Sequence, residues 1–507
     1  MISWLFRRFR FLRVWLGLAI ATLVIVLLLQ APAHAYKKKH LQQLIDTNAC
    51  IACNLKSAPL GGRDLRGADI EDADCRQADF KGAKLQGANL LGTNLQEADF
   101  RNANLGAANL EGADMQGVQL PGVYLFRADL ENAQVTDANL ARVNLGSANL
   151  QFTDFTGSTL EDGSLKRADL RRATLTLANL TDANLEGGDL RGSNFAEANL
   201  TNTTLKNADL RGAYLLHGNL FRTNFKGTQV DSETALDSKS LLIWQIVNEP
   251  VLGADLAGQD LSGANLESVE LVGADLTETN LAGAYLFIVN GQGGLFNHSN
   301  WEAASLKYVD LNNADLQAAN FHGAEIRHSD LRGANLRGAD FREAQLEVTD
   351  FRGAQLQQAN LADIKLEAGT LIDPKWEQVS KIQTLGAQGQ SLSGADLSDA
   401  YLVGVNFQRA TLRGADLRGA DLRGADFTNA RVADADFTGA NLEGAVFKST
   451  YVCRTTLAIA PANLCEFWNG PSSTPDASNS DTTPEPSDTS NTDSTSNSEL
   501  PAPDASQ

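Results

Sequence analysis

The side chains of this chain that could do chemistry are few and scattered. Five cysteines stand as two close pairs and a single: Cys50 with Cys53, Cys453 with Cys465, and Cys75 alone. A four-ligand zinc site would have to unite pairs that lie 400 residues apart. A thioredoxin-like role for Cys50 and Cys53 would need a βαβ setting, which the surrounding residues do not provide. His322 and His328 are six residues apart in a stretch that repeats every five, so they fall on different faces and cannot share a metal ion. Gly291-Gln292-Gly293-Gly294 lacks the Lys-Ser/Thr that a phosphate-binding loop places after its glycines. The many Asp residues are spread around the chain and solvated, without the burial that prepares a general acid or base. The expectation is a protein with no catalytic, cofactor-binding or metal site and no small-molecule substrate.

What positions these residues is a strict rhythm. From Leu65 to Val230 every fifth residue is apolar, mostly Leu, for 34 consecutive beats. Two residues before most beats sits a small residue, as at Ala68, Ala73, Ala78, Ala83 and Ala88, and the residue between is usually Asp or Asn. A period of five matches neither the 3.6 of a helix nor the 2 of a flat strand, so the chain must turn a corner with each unit and build its core by stacking turns. A large side chain beside a small one fills one slot of a narrow interior.

The stretch ADLRGADLRGADF, Ala415 to Phe427, resembles the pentapeptide-repeat family, and similar units cover most of residues 53–452. The resemblance implies an all-β solenoid, a right-handed quadrilateral β-helix with four pentapeptides per coil. In it the beat and the small residue face inward, and the other three positions face water. Residues 20 apart then stack, and Phe407, Phe427 and Phe447 are so spaced, as are Phe80 with Phe100 and Phe321 with Phe341. One continuous stack would be on the order of 85 Å long at strand spacing.

The rhythm breaks twice and divides the chain. Stack 1 spans residues 53–230, stack 2 spans 251–371 and stack 3 spans 392–452, with interruptions at 231–250 and 372–391. The interruptions resemble each other: TALDSKSLLIWQIVNE from Thr234 aligns with TLIDPKWEQVSKIQTL from Thr370. Asp373 suits a helix N-cap, Pro374 the first helical position, and Trp376, Val379 and Ile382 recur at helical spacing. Both segments read as short helices laid on the solenoid, burying Trp244 and Trp376. Residues 287–305 keep the register but lose the motif, which predicts a distorted coil or bulging loop.

The ends belong to other tasks. Residues 1–35 carry Arg7, Arg8, Arg10 and Arg13, an apolar run from Val14 to Leu29, and Ala33-His34-Ala35, and read as a signal peptide or an uncleaved membrane anchor. The repeats then lie across a membrane from the cytoplasm, in a periplasm or a thylakoid lumen, touching membrane only through that segment. Residues 36–52 form an N-terminal helical cap and residues 453–468 a C-terminal cap. In an oxidising compartment Cys50 with Cys53 and Cys453 with Cys465 read as end-cap disulfides, leaving Cys75 buried on a beat. Residues 469–507, rich in Ser, Thr, Pro and carboxylates, form a disordered acidic tail.

Net charge is −20, and −24 once the four leader arginines are removed. Arg171, Arg191 and Arg211 are 20 apart, as are Asp169, Asp189 and Asp209, so they form two ladders on one face. They are the candidate docking strip for a partner protein. The function expected is a non-enzymatic exported scaffold that presents a rigid acidic rod to an unidentified protein partner. The alternative, implied by acidic members of the resembled family, is imitation of duplex DNA to inhibit a topoisomerase. Localisation separates the two, and the leader argues against a nucleic-acid role.

Overall fold

The computed structural model describes residues 36–457 and 465–469. The leader, residues 458–464 of the C-terminal cap and the acidic tail from residue 470 lie outside the described residues. The chain winds into a parallel β-solenoid in which outward residues of successive coils pair, 20 apart in nearly every coil. One face runs Ala49, Asp69, Asn89, Asn109, Asp129, Asn149, Asp169, Asp189, Asp209, Gln229.

A single unit, Ala178 to Asp182, shows why five residues suffice. Its backbone N–H groups all find acceptors, as buried or half-buried amides must. Asn179 N–H donates to Ser158 O one coil back (2.9 Å), while Leu180 and Asp182 donate to Asn199 O and Thr201 O one coil on (2.7 and 2.9 Å). Ala178 N–H closes a turn onto Leu175 O (3.0 Å). The fifth, on Thr181, donates to the Asn179 side-chain oxygen at 3.2 Å. The Asp/Asn of the motif is thus a structural acceptor that completes each corner, as in an Asx-turn, besides facing water. The corner residue two after the beat takes a positive φ, +58° at Asp182, which explains the frequent Gly, Asn and Asp there.

Inside, Ala178 and Leu180 are fully buried. Phenylalanines on successive coils lie face to face: Phe80 on Phe100 with centroids 4.6 Å apart, Phe321 on Phe341 at 4.8 Å, and Phe407, Phe427 and Phe447 at 4.9 Å each. Where Thr replaces the small Ala, its hydroxyl donates to a main-chain carbonyl, as Thr153 does to Leu130 O of the previous coil at 2.8 Å and Thr228 to Phe225 O at 2.7 Å.

In stack 2 the strands lengthen on one face. Strands β1 (Asn265–Glu267), β2 (Tyr285–Phe287), β3 (Ser305–Lys307), β4 (Glu325–Arg327), β5 (Gln345–Glu347) and β6 (Lys365–Leu366) form one parallel sheet in that order. Two sequence expectations are corrected here. Residues 287–305 form a regular coil with no bulging loop, because Phe296 and Trp301 are fully buried and occupy the interior that a glycine at the Gly291 beat vacates. Leu371, counted as the last inward beat, occupies the outward position paired with Asp350 and is 45% exposed. One extra residue enters the coil before it and moves the side chain to the other face.

Among the described residues three helices interrupt or close the rod: α1 (Lys38–Thr47), α2 (Ser238–Asn248) and α3 (Pro374–Leu385). Helix α1 buries Leu44, and its His40 Nδ1 accepts from Asn54 N–H at 2.8 Å, fixing the helix to the first coil. Helix α2 starts at an Asp237 N-cap that accepts from Ser240 N–H at 3.0 Å, and it buries Ile243, Ile246 and Val247. Helix α3 buries Trp376, Val379 and Ile382. Trp244 is only half-buried, its indole N–H donating to Thr228 O at 3.2 Å. At the far end β7 (Thr450–Cys453) and β8 (Cys465–Trp468) pair antiparallel and lay Trp468 against Phe447.

Candidate functional site

The cysteines sit at the ends of the described solenoid. Cys50 is bonded to Cys53 where α1 meets the first coil, and Cys453 to Cys465 across the terminal hairpin. Cys75 is a fully buried free thiol, and burial in apolar surroundings raises its pKa well above the ordinary value, which leaves it inert. His322 lies between Glu302 and Glu343, 3.8 Å from each, while His328 stacks on Tyr308. Among the described residues no three His, Cys, Asp or Glu side chains converge as metal ligands would.

The two charge ladders stand side by side on one face. Each guanidinium forks onto the Asp of its own coil, Arg171 on Asp169, Arg191 on Asp189 and Arg211 on Asp209, all at 2.6 Å. Arg171 and Arg191 also reach the Asp of the next coil, Asp189 and Asp209, at 3.6 Å. The Arg191 and Arg211 forks hold the Asp189 and Asp209 carboxyls below the usual carboxylate range. Donors and acceptors on this strip are therefore satisfied within the rod, and a partner would have to break charge-assisted pairs to use them.

A second surface carries a different chemistry. At the corner that follows β1 to β5, the positive-φ position holds Ser268, Ile288, Tyr308, His328 and Val348. The last four carry bulky side chains, with Ile288 53%, Tyr308 47% and Val348 44% exposed. Tyr308 and His328 rings stack at 5.0 Å, Phe287 meets Tyr308 edge-on at 5.8 Å, and Lys307 Nζ lies 5.4 Å from the Tyr308 ring centroid. Side chains at φ near +55° cost backbone energy that Gly or Asn would avoid, and β-branched residues there are rare. Sequence reasoning missed this column because it lies outside the Asp/Asn and beat positions that define the motif. The missing signal was available, since four residues spaced by 20 break the Gly/Asn/Asp preference of that position.

Sequence comparison gives this architecture its relatives. The family description "Pentapeptide repeats" matches residues 50–227, 253–286, 292–323, 329–367 and 391–457, well over half of the chain. The chain belongs to the pentapeptide-repeat family. Among solved structures, it is similar to HetL, a pentapeptide repeat protein involved in heterocyst differentiation regulation in the cyanobacterium Nostoc sp. strain PCC 7120. That match has 26% identity over 55% of this chain and 91% of HetL, with a TM-score of 0.18. A pentapeptide repeat protein of the Arabidopsis thaliana thylakoid lumen matches at 24% identity over 28% and 74% of the two chains, with a TM-score of 0.16. QnrB1, a plasmid-mediated fluoroquinolone resistance protein, matches at 21% identity over 36% and 93%, with a TM-score of 0.18. Comparison with curated proteins gave no match.

The described residues of this pentapeptide-repeat rod present side chains at fixed spacing that suit recognition. The Asp189 and Asp209 carboxyls, held below the usual carboxylate range by their Arg partners, are partly exposed and not kept protonated as a general acid must be. The column from Ile288 to Val348 sets exposed apolar and aromatic side chains on four consecutive coils.

Proposed function

We propose that this pentapeptide-repeat protein is a non-enzymatic exported scaffold whose docking surface is the corner column Ile288–Tyr308–His328–Val348. The observation that carries the reading is the coincidence of apolar exposure with costly backbone on four consecutive coils. Conformational cost kept at a surface, where smaller residues would fold better, points to use. The partner is a protein segment with an apolar ridge and a carboxylate on its flank. Among the described residues no carboxylate lies within 4 Å of Lys307 Nζ, beside Tyr308, so that charge is open to a partner. Export is supported by the Arg-then-apolar leader and by two disulfides.

The test is capture from the native membrane compartment with paired variants. Ile288→Glu with Tyr308→Lys should abolish a captured partner that Arg191→Glu retains. Loss with Arg191→Glu and retention with the column variant would transfer the site to the Asp169–Arg211 ladder. Fractionation with the leader intact tests the compartment. Recovery of full-length protein in the cytoplasm would remove the exported reading and favour DNA mimicry, which rests on the net charge of −20.

A further inference from the structure

In stack 3 one face lacks the Asp–Arg forks of its neighbouring faces. On neighbouring faces an Arg two residues after an outward Asp forks onto that Asp, as Arg418 does on Asp416 (2.6 Å) and Arg423 on Asp421 (2.7 Å). On the face whose outward positions run Ser391, Thr411, Arg431 and Tyr451, no such Asp exists. Arg413 follows Thr411 and reaches only Asp434 on the next coil, at 3.5 Å. Arg454 takes the same Asp434 carboxylate at 2.8 Å. Arg431 stands in the place of the Asp itself, with no carboxylate within 4 Å among the described residues. These residues and Tyr451 line one open groove, which gathers three guanidinium groups around a single carboxylate that only Arg413 and Arg454 reach. Arg413 and Arg454 side chains are 70% and 69% exposed, so the excess positive charge faces solvent on an otherwise acidic molecule.

We infer that this groove is the docking site for the chain's own acidic tail, residues 470–507. The tail holds seven carboxylates and no Lys or Arg. It starts at the groove's edge: Ser449, two residues before Tyr451, donates its N–H to the Asn469 side chain at 2.8 Å, and the tail follows directly. Asp476, the first acidic residue, is seven residues beyond Asn469, within about 25 Å of fully extended chain. A tethered segment of this length meets its site at an effective concentration on the order of millimolar, so weak charge-assisted pairs suffice for occupancy.

The test places a photo-crosslinking amino acid at Ser478 in the full-length exported protein. Intramolecular cross-links within residues 409–454 are expected. Their yield should fall at least fivefold with Arg413→Gln and Arg431→Gln together, and similarly in 1 M NaCl. Arg418→Gln on the adjacent face should leave the yield unchanged. Cross-links spread over several faces, cross-links insensitive to the groove variants, or cross-links joining two copies would each overturn the assignment. The Gln pair leaves every backbone hydrogen bond in place, and an unchanged thermal midpoint separates loss of docking from loss of fold.

Discussion

Lys239 Nζ lies 3.0 Å from Asp260 Oδ2, joining the helix that interrupts the rod to the coil that restarts it. The contact recurs 136 residues later, where Lys375 Nζ lies 3.1 Å from Asp396 Oδ1. The repetition extends to the rest of each junction. Arg222 N–H donates to Gly263 O at 2.6 Å, as Gln358 N–H does to Asp399 O at 2.8 Å. Arg222 Nε and Gln358 Nε2 then reach one coil further, to Gly283 O (2.7 Å) and Gly419 O (2.8 Å). Asn248 Oδ1 and Thr384 Oγ1 cap the Gly227 and Asp363 N–H groups that α2 and α3 would otherwise leave open, each at 2.7 Å. Both interruptions are thus tied to the coils on either side by the same set of contacts.

The first junction can be tested at its tightest point. A Cβ on Gly263 would fall 2.2 Å from the Phe221 ring, and Gly263 has φ +64°. Gly338, at φ +69°, has open space where its Cβ would go. Gly338→Ala should therefore cost about 1 kcal/mol for backbone alone, whereas Gly263→Ala should cost about 1–3 kcal/mol more from overpacking. Chemical denaturation of the two variants checks this, and equal losses would mean that Phe221 does not seal the junction.

The inward and outward positions of one unit make a second contrast. Leu180→Asp puts a carboxylate into an interior with no cationic partner and should cost at least about 3–5 kcal/mol. Asn179→Ser keeps a side-chain oxygen that can accept from the Thr181 N–H, and should cost about 1 kcal/mol or less. Equal tolerance of the two substitutions in a thermal melt would contradict the buried assignment of Leu180.

How much was legible follows from which residues are repeated. The beat and its small partner recur so often that the inward set and the stacking of Phe407 on Phe427 can be read from spacing alone. The role of the Asp/Asn as a backbone acceptor was not, because outward polarity already accounts for an Asp at a surface. The stretch around Gly291 misled because motif letters were counted where volume decides: a glycine beat next to Phe296 and Trp301 still fills the coil. The column from Ile288 and the groove at Arg431 break the motif's own preferences, for Gly, Asn or Asp at the corner and for Asp or Asn at the outward position, and their meaning appears only once coils 20 residues apart are placed side by side.

Thiol chemistry gives a third outcome. Cys75 should be the one free thiol, unreactive toward an alkylating agent in the native state and fully reactive in denaturant without reductant. Cys453→Ser with Cys465→Ser opens a 12-residue loop and should lower stability by about 2–3 kcal/mol, with the terminal coil losing amide protection first. Non-reducing peptide mapping of the exported protein checks both, and native-state labelling at Cys453 or Cys465 would remove the C-terminal bridge.

Acid should loosen the rod in a defined window. The Arg101 guanidinium, with Lys81 beside it, holds the Asp99 carboxyl down at about 2, and Arg-paired Asp189, Asp209, Asp350 and Asp416 shift in the same direction. A carboxyl with a depressed folded-state pKa stabilises the fold fully above its unfolded value near 4 and ceases to as pH falls through its folded value. Stability should therefore be flat with respect to these groups above about pH 4 and decline from there to about pH 2. The pairs are partly exposed, so 1 M salt should shrink the decline. Urea midpoints across that range decide it, and a decline already complete at pH 5 would assign acid sensitivity to other groups.

The corner column offers the sharpest separation of folding from use. Ile288 and Val348 hold φ of +55° and +49°, where a β-branched side chain crowds its own backbone. Replacing Ile288 by Asn and Val348 by Gly should relieve that crowding and raise stability by about 1 kcal/mol per site, because Asn and Gly adopt the left-handed region readily. The same changes remove two of the four side chains that present apolar surface, so partner capture should fall while the melting temperature rises. Opposed movement of stability and binding is what residues retained for recognition produce. A fall in melting temperature in both variants would instead show that Ile288 and Val348 contribute to the fold, and the docking surface would have to be sought elsewhere on the rod.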